Sequence, residues 1–368
     1  MKIFLKHSNF DEFMLKDVTV LLSASSSPSM PGMIKCLRNN GERNIKIVGI
    51  DMTSDPSAKY MVDSFYQVPA ANDPTFCDFV LDICKKERVD VYFPNVSAEV
   101  EVVAVRKAEF DSMGVLLSVS NMESVSISNN KLHTYKALES AGIPVPRYYG
   151  IFSVEDFING CRYMGYPDKP VCLKIANGSG SRGVRIIDAN KSRYQVFVHE
   201  KPNSLYSSFD DMLAILKSVD KLEEMMLVEY MHGPEFTVDL LASKGQILYE
   251  VGRENTISLM SIAQESVVKY DELAYRVSAD VVKLFHMDGN VGFDFMRNSK
   301  GEAVLMDINP RITATVSVIA ASGVNLIYLR VKQLLGEDMP MCEPAFGTRL
   351  RRRYDEMFTS PDGELIQF

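Results

Sequence analysis

The sequence predicts an α/β protein that begins with a parallel, doubly wound sheet and continues as an α+β structure. Before the polar segment 121–130, apolar runs of strand length alternate with amphipathic stretches. This alternation is typical of parallel strands joined by helices. After that segment, apolar runs follow one another through short turns, which favours antiparallel hairpins. A chain of 368 residues is also too long to fold around a single small core, so two or three domains are expected.

The first sheet is predicted from four apolar runs, at 17–24, 45–52, 89–95 and 115–120. Segments 29–41 and 74–90 have helical spacing. The loop after the first strand, "SASSSPSMPG", contains only Gly32, whereas a dinucleotide-binding loop would carry G-x-G-x-x-G. A nicotinamide-dependent dehydrogenase is therefore disfavoured. The loop is interpreted as a turn and helix cap, with an anion or substrate contact as the alternative.

Composition excludes several other classes of protein. The net charge of −8 argues against a nucleic-acid partner. The six cysteines form no C-x-x-C pair, and the five histidines have no zinc spacing. We expect no signal peptide, no membrane span and a cytoplasmic location. The basic run "RLRRRY" at 349–354 is either an anion patch or a solvated face.

The segment 290–310 reads as a hairpin that brings acidic residues together. Asp294 lies on one predicted arm and Asp307 on the other, with the turn "NSKGE" between them. Asp307, Asn309 and Arg311 are spaced two apart, so a strand would point them to one face. Two carboxylates and an amide oxygen form an all-oxygen Mg²⁺ site, and the guanidinium suits a transferring phosphoryl group. The alternative is a solvated surface hairpin.

Two further segments have the composition of a nucleotide site. In "LKIANGSGSRGV", Lys174 ends an apolar run before a Gly/Ser loop whose amides could surround phosphate oxygens. A flexible hairpin would look the same. In "MLVEYMHGPEFTVDLL", Glu229 and Glu235 flank a turn that could receive a nucleoside, although each glutamate alone is more simply a surface charge.

Taken in order, these segments resemble the ATP-grasp superfamily, in particular carboxylate–amine ligases and the large subunit of carbamoyl phosphate synthase. The resemblance runs over about residues 15–335 and rests on the succession of six motifs: "NNKLHTYKALESAGIPVP", "VCLKIANGSGSRGV", "LVEYMHGPEFTVDLL", "VGRENT", "VGFDFM" and "MDINPR". It implies a pre-ATP-grasp Rossmann-like domain followed by a two-lobed ATP-grasp fold. The implied domains are 1–125, the small or lid region 126–230, the large subdomain with the Mg·ATP site 231–345, and a C-terminal tail 346–368.

The resemblance also implies roles for individual residues. Phosphates would be bound by Lys131, Lys174 and the loop residues Ser179, Gly180, Ser181 and Gly183. The adenine hinge would be Glu229, Tyr230 and Met231, and Glu235 would bind the ribose. The metal ligands would be Asp294, Asp307 and Asn309, with Arg311 and Lys174 as catalytic residues. The family more often has Glu or Gln at the first metal position and Glu at the second, so the shorter aspartates leave open whether one or two metals bind.

The implied activity is ATP-dependent formation of an amide or peptide-like bond. The cofactors would be ATP and Mg²⁺, with Mn²⁺ as a substitute, and the substrates a small carboxylate and an amine. A homodimer is the expected assembly. The alternatives are phosphorylation of a small carboxylate or carbamate, as in carbamoyl phosphate synthase, and a non-catalytic nucleotide-binding module.

Overall fold

The computed structural model describes residues 15–178, 180–201, 204–259 and 262–366. The chain forms two compact units. Of the described residues, the first unit contains those in 15–120, 311–345 and 352–366, and the second contains those in 121–310 and 346–351.

Eighteen strands are present in the described residues. In chain order they are β1 Val18–Leu22, β2 Ile45–Asp51, β3 Ser64–Gln67, β4 Val91–Phe93, β5 Leu116–Leu117, β6 Tyr148–Ile151, β7 Val171–Ile175, β8 Arg185–Ile187, β9 Tyr206–Ser207, β10 Met225–Glu229, β11 Glu235–Ser243, β12 Gln246–Leu259, β13 Ile262–Val268, β14 Gly289–Arg297, β15 Ala303–Asn309, β16 Arg349–Arg351, β17 Phe358–Thr359 and β18 Leu365–Ile366.

Twelve α-helices accompany them in the same part of the chain. They are α1 Met30–Arg38, α2 Phe76–Glu87, α3 Ser97–Val105, α4 Lys107–Ser112, α5 Met122–Asn129, α6 Lys131–Ser140, α7 Val154–Met164, α8 Arg193–His199, α9 Phe209–Leu216, α10 Glu272–Leu284, α11 Ser317–Ala321 and α12 Leu326–Leu334. No described helix combines the length and the apolar character needed to cross a membrane.

The first unit contains a parallel five-stranded sheet in the order β3-β2-β1-β4-β5. Strands β2 and β3 extend the sheet on one side of β1, and strands β4 and β5 extend it on the other side. The strand order therefore reverses between β1 and β4, and such a reversal opens a crevice at the carboxyl ends of the two strands. The predicted parallel, doubly wound sheet is confirmed. Helices α11 and α12, from the 311–345 segment, pack on α1 in this unit.

The second unit contains two sheets. The smaller has the order β6-β10-β7-β8-β9, and its β8–β9 pair is parallel. The larger has the order β15-β14-β11-β12-β13-β16, and every pairing in it is antiparallel. The predicted mixed and antiparallel part is confirmed.

The large sheet has one apolar face and one polar face. One face buries alternate residues of β11 and β14, namely Phe236, Val238, Phe293 and Phe295. They belong to the same core cluster as Val281 of α10. Because side chains alternate along a strand, the residues between them point to the opposite face. That opposite face carries the candidate site.

The polar segment 121–130 begins the second unit, and it forms helix α5. The Asn121 side chain caps it by accepting a hydrogen bond from the Ser124 amide at 2.9 Å. Ser128 donates its hydroxyl proton back to the Ser124 carbonyl at 2.7 Å. Serines that satisfy their hydroxyls in this way fit inside a helix, which composition alone does not reveal.

Candidate functional site

The hairpin of β14 and β15 places its two aspartates directly opposite each other. Asp294 pairs with Asp307, and Gly292 pairs with Asn309. The register shifts after this pair, because Met306 is an extra residue on β15 between Asp307 and Leu305. Asn309 donates its amide proton to Asp294 Oδ2 at 2.8 Å. Bulges commonly re-aim side chains beside functional sites, and this one adjoins the acidic pair.

The electrostatics of the pair favour a bound cation. Burial and the nearby Asp307 carboxylate raise the pKa of Asp294 to about 6. Two adjacent carboxylates with an amide oxygen are a suitable oxygen donor set for Mg²⁺. Among the described residues, no group of three or more His, Cys, Asp or Glu is placed to hold a metal. Phosphate oxygens or water would therefore have to complete the coordination.

A hydrogen-bonded row of polar residues extends from the acidic pair across the large sheet. Thr237 donates its hydroxyl proton to Asp294 Oδ1 at 2.8 Å and accepts one from Asn255 Nδ2 at 3.3 Å. Arg253 donates to Asn255 at 2.5 Å and to the buried carboxylate of Asp239 at 2.7 Å. Thr237, Asn255, Arg253 and Asp239 were missed as site residues from the sequence. The period-2 series Glu235, Thr237, Asp239 in an apolar strand was the available signal.

Lys131 connects this hairpin to the glycine loop. It begins α6, and its ammonium lies 3.1 Å from Asp307 Oδ2. The same ammonium donates a hydrogen bond to the Gly178 carbonyl at 2.8 Å. One turn further along the same face of this helix, Tyr135 donates its hydroxyl proton to the Met306 carbonyl at 3.0 Å. These contacts fix helix α6 against β15 and place the Lys131 ammonium beside Asp307.

The glycine loop connects β7 to β8. Lys174 lies near the end of β7, half-buried, and makes no ion pair with a described residue. Gly180, Ser181 and Gly183 all have positive φ, a conformation that glycine adopts without strain. A Cβ at Gly183 would lie 2.3 Å from Ile175 Cδ1, so this glycine also allows a close approach. Ser179 lies outside the described residues.

The predicted adenine hinge follows β10. The Glu229 side chain accepts a hydrogen bond from the Arg147 amide at 3.0 Å. Burial and a hydrogen bond to Tyr206 raise the pKa of Tyr230. Met231 is buried in an apolar cluster that also contains Met226, Val228 and Met306. The hinge therefore adjoins a buried apolar cluster that contains three methionines.

The last two predicted residues, Glu235 and Arg311, lie in different units, and the Glu235 carboxylate also helps to raise the pKa of Asp294. Glu235 begins β11, and its carboxylate accepts a hydrogen bond from Ser258 at 2.7 Å. The expectation that Arg311 continues the strand face of Asp307 and Asn309 is wrong, because β15 ends at Asn309 and Pro310 interrupts it. Arg311 belongs to the first unit, where it donates to the Ile312 carbonyl at 3.0 Å.

Two sequence families match this chain. Residues 221–354 match a family described as ATP-grasp in the biosynthetic pathway with Ter operon. Residues 31–118 match the PylC-like N-terminal domain. The first match spans β10 to β16 together with helices α10 to α12, and the second covers β2 to β5 of the parallel sheet.

Similar proteins include ligases, synthases and carboxylases. A D-alanine–D-alanine ligase of Pseudomonas entomophila is 25% identical over 38% of this chain and 36% of its own length. A carbamoyl phosphate synthase large chain of Pyrobaculum aerophilum is 22% identical over 82% of this chain and 29% of its own. This chain thus spans about a third of these relatives' lengths. The biotin carboxylase domain of Hydrogenobacter thermophilus 2-oxoglutarate carboxylase, solved as a dimer with MgADP, ADP and bicarbonate, has a TM-score of 0.65 at 16% identity, covering 90% of this chain and 73% of that one.

Proposed function

Since the chain belongs to the ATP-grasp superfamily, we propose that it is an ATP-dependent ligase that activates a substrate carboxylate as an acylphosphate and joins it to an amine. The superfamily comprises ATP-dependent ligases and carboxylases. In this proposal the products are an amide, ADP and phosphate.

One observation carries the proposal more than any other. The Lys131 ammonium contacts both the Asp307 carboxylate and the Gly178 carbonyl. The glycine loop, the acidic hairpin and a cation are therefore assembled around one position. Phosphoryl transfer needs these three components, because its catalysis consists mainly of positioning and charge stabilisation.

Each predicted residue has a role in this reaction. Lys131, Lys174 and the loop amides of Gly180, Ser181 and Gly183 would bind the phosphates. Asp294, Asp307 and Asn309 would hold Mg²⁺, which supplies charge neutralisation when bound. Arg311 follows the last ligand by two residues and would stabilise charge on the transferring group. Glu229 to Met231 and Glu235 would bind the nucleoside.

The proposed chemistry has two steps. A substrate carboxylate oxygen attacks the γ-phosphorus, the bond from that phosphorus to the bridging oxygen breaks, and ADP leaves. The amine nitrogen then attacks the acyl carbon, the carbon–oxygen bond to phosphate breaks, and the nitrogen loses a proton. Neither step requires a nucleophilic side chain of the protein.

A phosphate-release assay with Mg·ATP and a panel of carboxylates paired with amines tests the proposal. We expect ADP and phosphate to form in equal amounts, only when one carboxylate and one amine are both present. Absence of ATP turnover with every pair, together with absence of nucleotide-dependent thermal stabilisation, would contradict it.

Phosphorylation of a small carboxylate or carbamate without an amine is a second candidate. It is favoured by the similarity to carbamoyl phosphate synthase, which extends over 82% of this chain. The same assay separates the two, because this activity would release ADP without an amine and yield a phosphorylated product that hydroxylamine converts to a hydroxamate.

We also propose a homodimer, supported by the similar carboxylase domain that was solved as a dimer. Light scattering coupled to size exclusion would give twice the chain mass of 41.3 kDa. A mass of one chain at micromolar concentration would contradict the dimer.

A further inference from the structure

The Asp294 carboxylate is held by a neutral donor at each of its oxygens. Thr237 Oγ1 donates to Oδ1 at 2.8 Å, and Asn309 Nδ2 donates to Oδ2 at 2.8 Å. The two donors lie on β11 and β15, the strands that flank β14 in the large sheet. A carboxylate held at both oxygens does not rotate, so the direction of its remaining lone pairs is fixed.

The Thr237 proton is directed to Asp294 by the side chain on its other side. Thr237 is completely buried, and Asn255 Nδ2 donates to its hydroxyl oxygen at 3.3 Å. A hydroxyl has a single proton, which turns away from an N–H donor and toward the acceptor opposite. If the Asn255 amide were turned over, its oxygen would compete with Asp294 for the same proton.

Arg253 determines which way the Asn255 amide is turned. Its Nη1 donates to Asn255 Oδ1 at 2.5 Å, and Ser266 Oγ lies 3.2 Å from the same oxygen. A guanidinium only donates hydrogen bonds, so the amide oxygen faces it and the amide nitrogen faces Thr237. Arg253 therefore fixes the polarity of a chain of hydrogen bonds that ends on Asp294.

Asp239 anchors the same guanidinium. Arg253 Nε donates to Asp239 Oδ2 at 2.7 Å, and the two side chains are 4% and 3% exposed. A buried ion pair is seldom more stable than two apolar side chains of similar size, because both charges lose their hydration. On the central strands of a sheet, such a pair is better explained by what it orients than by the stability that it adds.

We propose that Arg253 and Thr237 are positioning residues for the metal site. Arg253 orients the Asn255 amide, and that amide directs the Thr237 proton to Asp294. Asp294 then presents its remaining lone pairs to Mg²⁺ in one geometry, which matters because Mg²⁺ tolerates little departure from an octahedron. The identification of Asp294 as a metal ligand rests on the proposed function.

Calorimetric titration of the full chain with ADP, once with Mg²⁺ and once with EDTA, tests the proposal. Thr237→Val keeps the shape of the side chain but removes the hydroxyl. It should weaken binding of Mg·ADP about 10-fold, a loss typical of the partners of metal ligands. Binding of ADP in EDTA should be unchanged, because the proposed role acts through Asp294 alone.

Two control variants separate positioning from general stability. Thr237→Ser retains the hydroxyl and should bind Mg·ADP as tightly as the wild type. Ser278 on α10, at the apolar face of the sheet, is fully buried and donates to the Ala274 carbonyl at 2.8 Å. Ser278→Ala should lower the melting temperature and leave the affinity for Mg·ADP unchanged. A loss of affinity in Thr237→Val no larger than in Ser278→Ala, or an equal loss in Thr237→Ser, would overturn the proposal.

The polarity of the chain is tested by removing the ion pair as a unit. Asp239→Leu combined with Arg253→Met replaces both charges by apolar side chains, so that neither is left buried alone. The Asn255 amide is then free to turn over, and affinity for Mg·ADP should fall as it does in Thr237→Val. Adding Thr237→Val to this double variant should cause no further loss, because both changes act on the same proton.

Full Mg·ADP affinity in the folded double variant, or a fully additive loss in the triple variant, would overturn the role of Arg253. If the double variant does not fold, Arg253→Lys replaces it. A lysine retains a donor and the charge but not the planar fork that reaches both partners, so Mg·ADP affinity should again fall while ADP binding in EDTA is retained.

This proposal and the proposed ligase activity can fail separately, when ADP and phosphate release from Mg·ATP is measured on the same variants. Mg·ADP binding that depends on the Thr237 hydroxyl, without turnover by the wild type, would contradict the activity but not the positioning role. Turnover by the wild type with unchanged Mg·ADP affinity in Thr237→Val would contradict the positioning role but not the activity. If Mg²⁺ does not strengthen ADP binding by the wild type, the metal assignment is wrong and the positioning role with it.

Discussion

Each unit contains an acidic group whose pKa is raised, but the two groups are surrounded differently. In the first unit, Glu99 is enclosed by neutral donors from Ser23, Tyr92 and Asn95. In the second, Asp294 faces another carboxylate, Asp307, which also contacts the Lys131 ammonium at 3.1 Å. Burial raises the pKa of Glu99 to about 7 although these donors oppose the rise, and burial together with the Asp307 charge raises the pKa of Asp294 to about 6.

The difference separates a carboxylate that is satisfied within the fold from one that we propose to bind a cation. Hydroxyl and amide donors satisfy the oxygens of Glu99 within the fold, so it needs nothing from outside. Two carboxylates side by side repel each other until a cation lies between them. A substitution of Glu99 is therefore expected to change stability, whereas a substitution in the Asp294–Asp307 pair is expected to change catalysis.

The largest effect is expected at the acidic pair. Asp307→Asn keeps the size of the side chain but removes one charge, so ATP turnover should fall at least about 100-fold, as for loss of a transition-state contact. Circular dichroism should show an intact fold. The exposed Asp280→Asn on α10 is the matched control and should turn over at the wild-type rate. An Asp307→Asn variant as active as this control would refute the metal assignment.

The pH dependence of stability should come from Glu99. Its pKa rises to about 7 in the folded protein, mainly through burial, from an ordinary value of 4.5. Between these values the folded state binds more protons, so the Glu99 contribution to stability is complete below about pH 4.5 and is lost as pH rises through 7. Tyr92 stays protonated, because burial raises its pKa well above the usual range.

Denaturant unfolding of the wild type and of Glu99→Gln from pH 4.5 to pH 8 measures this contribution. Glutamine does not titrate, so the stability of the wild type relative to this variant should fall by up to about 3 kcal/mol over that range, at 1.36 kcal/mol per pKa unit. A difference that is constant with pH would show that the folded-state pKa of Glu99 is not raised.

At pH 5 the same substitution should be destabilising in itself. Glu99 is protonated at this pH, so a glutamine amide presents one more proton than the carboxylic acid does to the hydroxyls of Ser23 and Tyr92, and the free energy of unfolding should decrease by about 1–2 kcal/mol. Glu101→Gln, an exposed position on the same helix, is the control and should change it little. Equal stability of the two variants would mean that these hydrogen bonds of Glu99 do not stabilise the first unit.

The same contrast shows what could be predicted from the sequence. The parallel sheet, the hairpin and the facing aspartates follow from local periodicity and turn residues, because register is determined by nearby chain. Thr237 and Asn255 were missed, since they join Asp294 across three strands that only the fold brings together. For the same reason the Glu99 group was not recognised, although its loop was considered as a substrate contact. Arg311 was placed on the strand face because spacing does not show where a strand ends.

The smallest effects should distinguish the two predicted phosphate lysines. In the absence of ligand, Lys131 is paired with Asp307, whereas Lys174 makes no ion pair with a described residue. Lys131→Ala should therefore lower the stability of the ligand-free protein by no more than about 1 kcal/mol, the usual range for a partly exposed pair, and Lys174→Ala should leave it unchanged. Both variants should reduce the rise in melting temperature that Mg·ATP produces, because each would remove a proposed phosphate contact. An unaltered rise in Lys174→Ala, measured by differential scanning calorimetry, would place the nucleotide phosphates away from β7. An unaltered rise in Lys131→Ala alone would mean that this lysine only neutralises the acidic pair while no cation is bound.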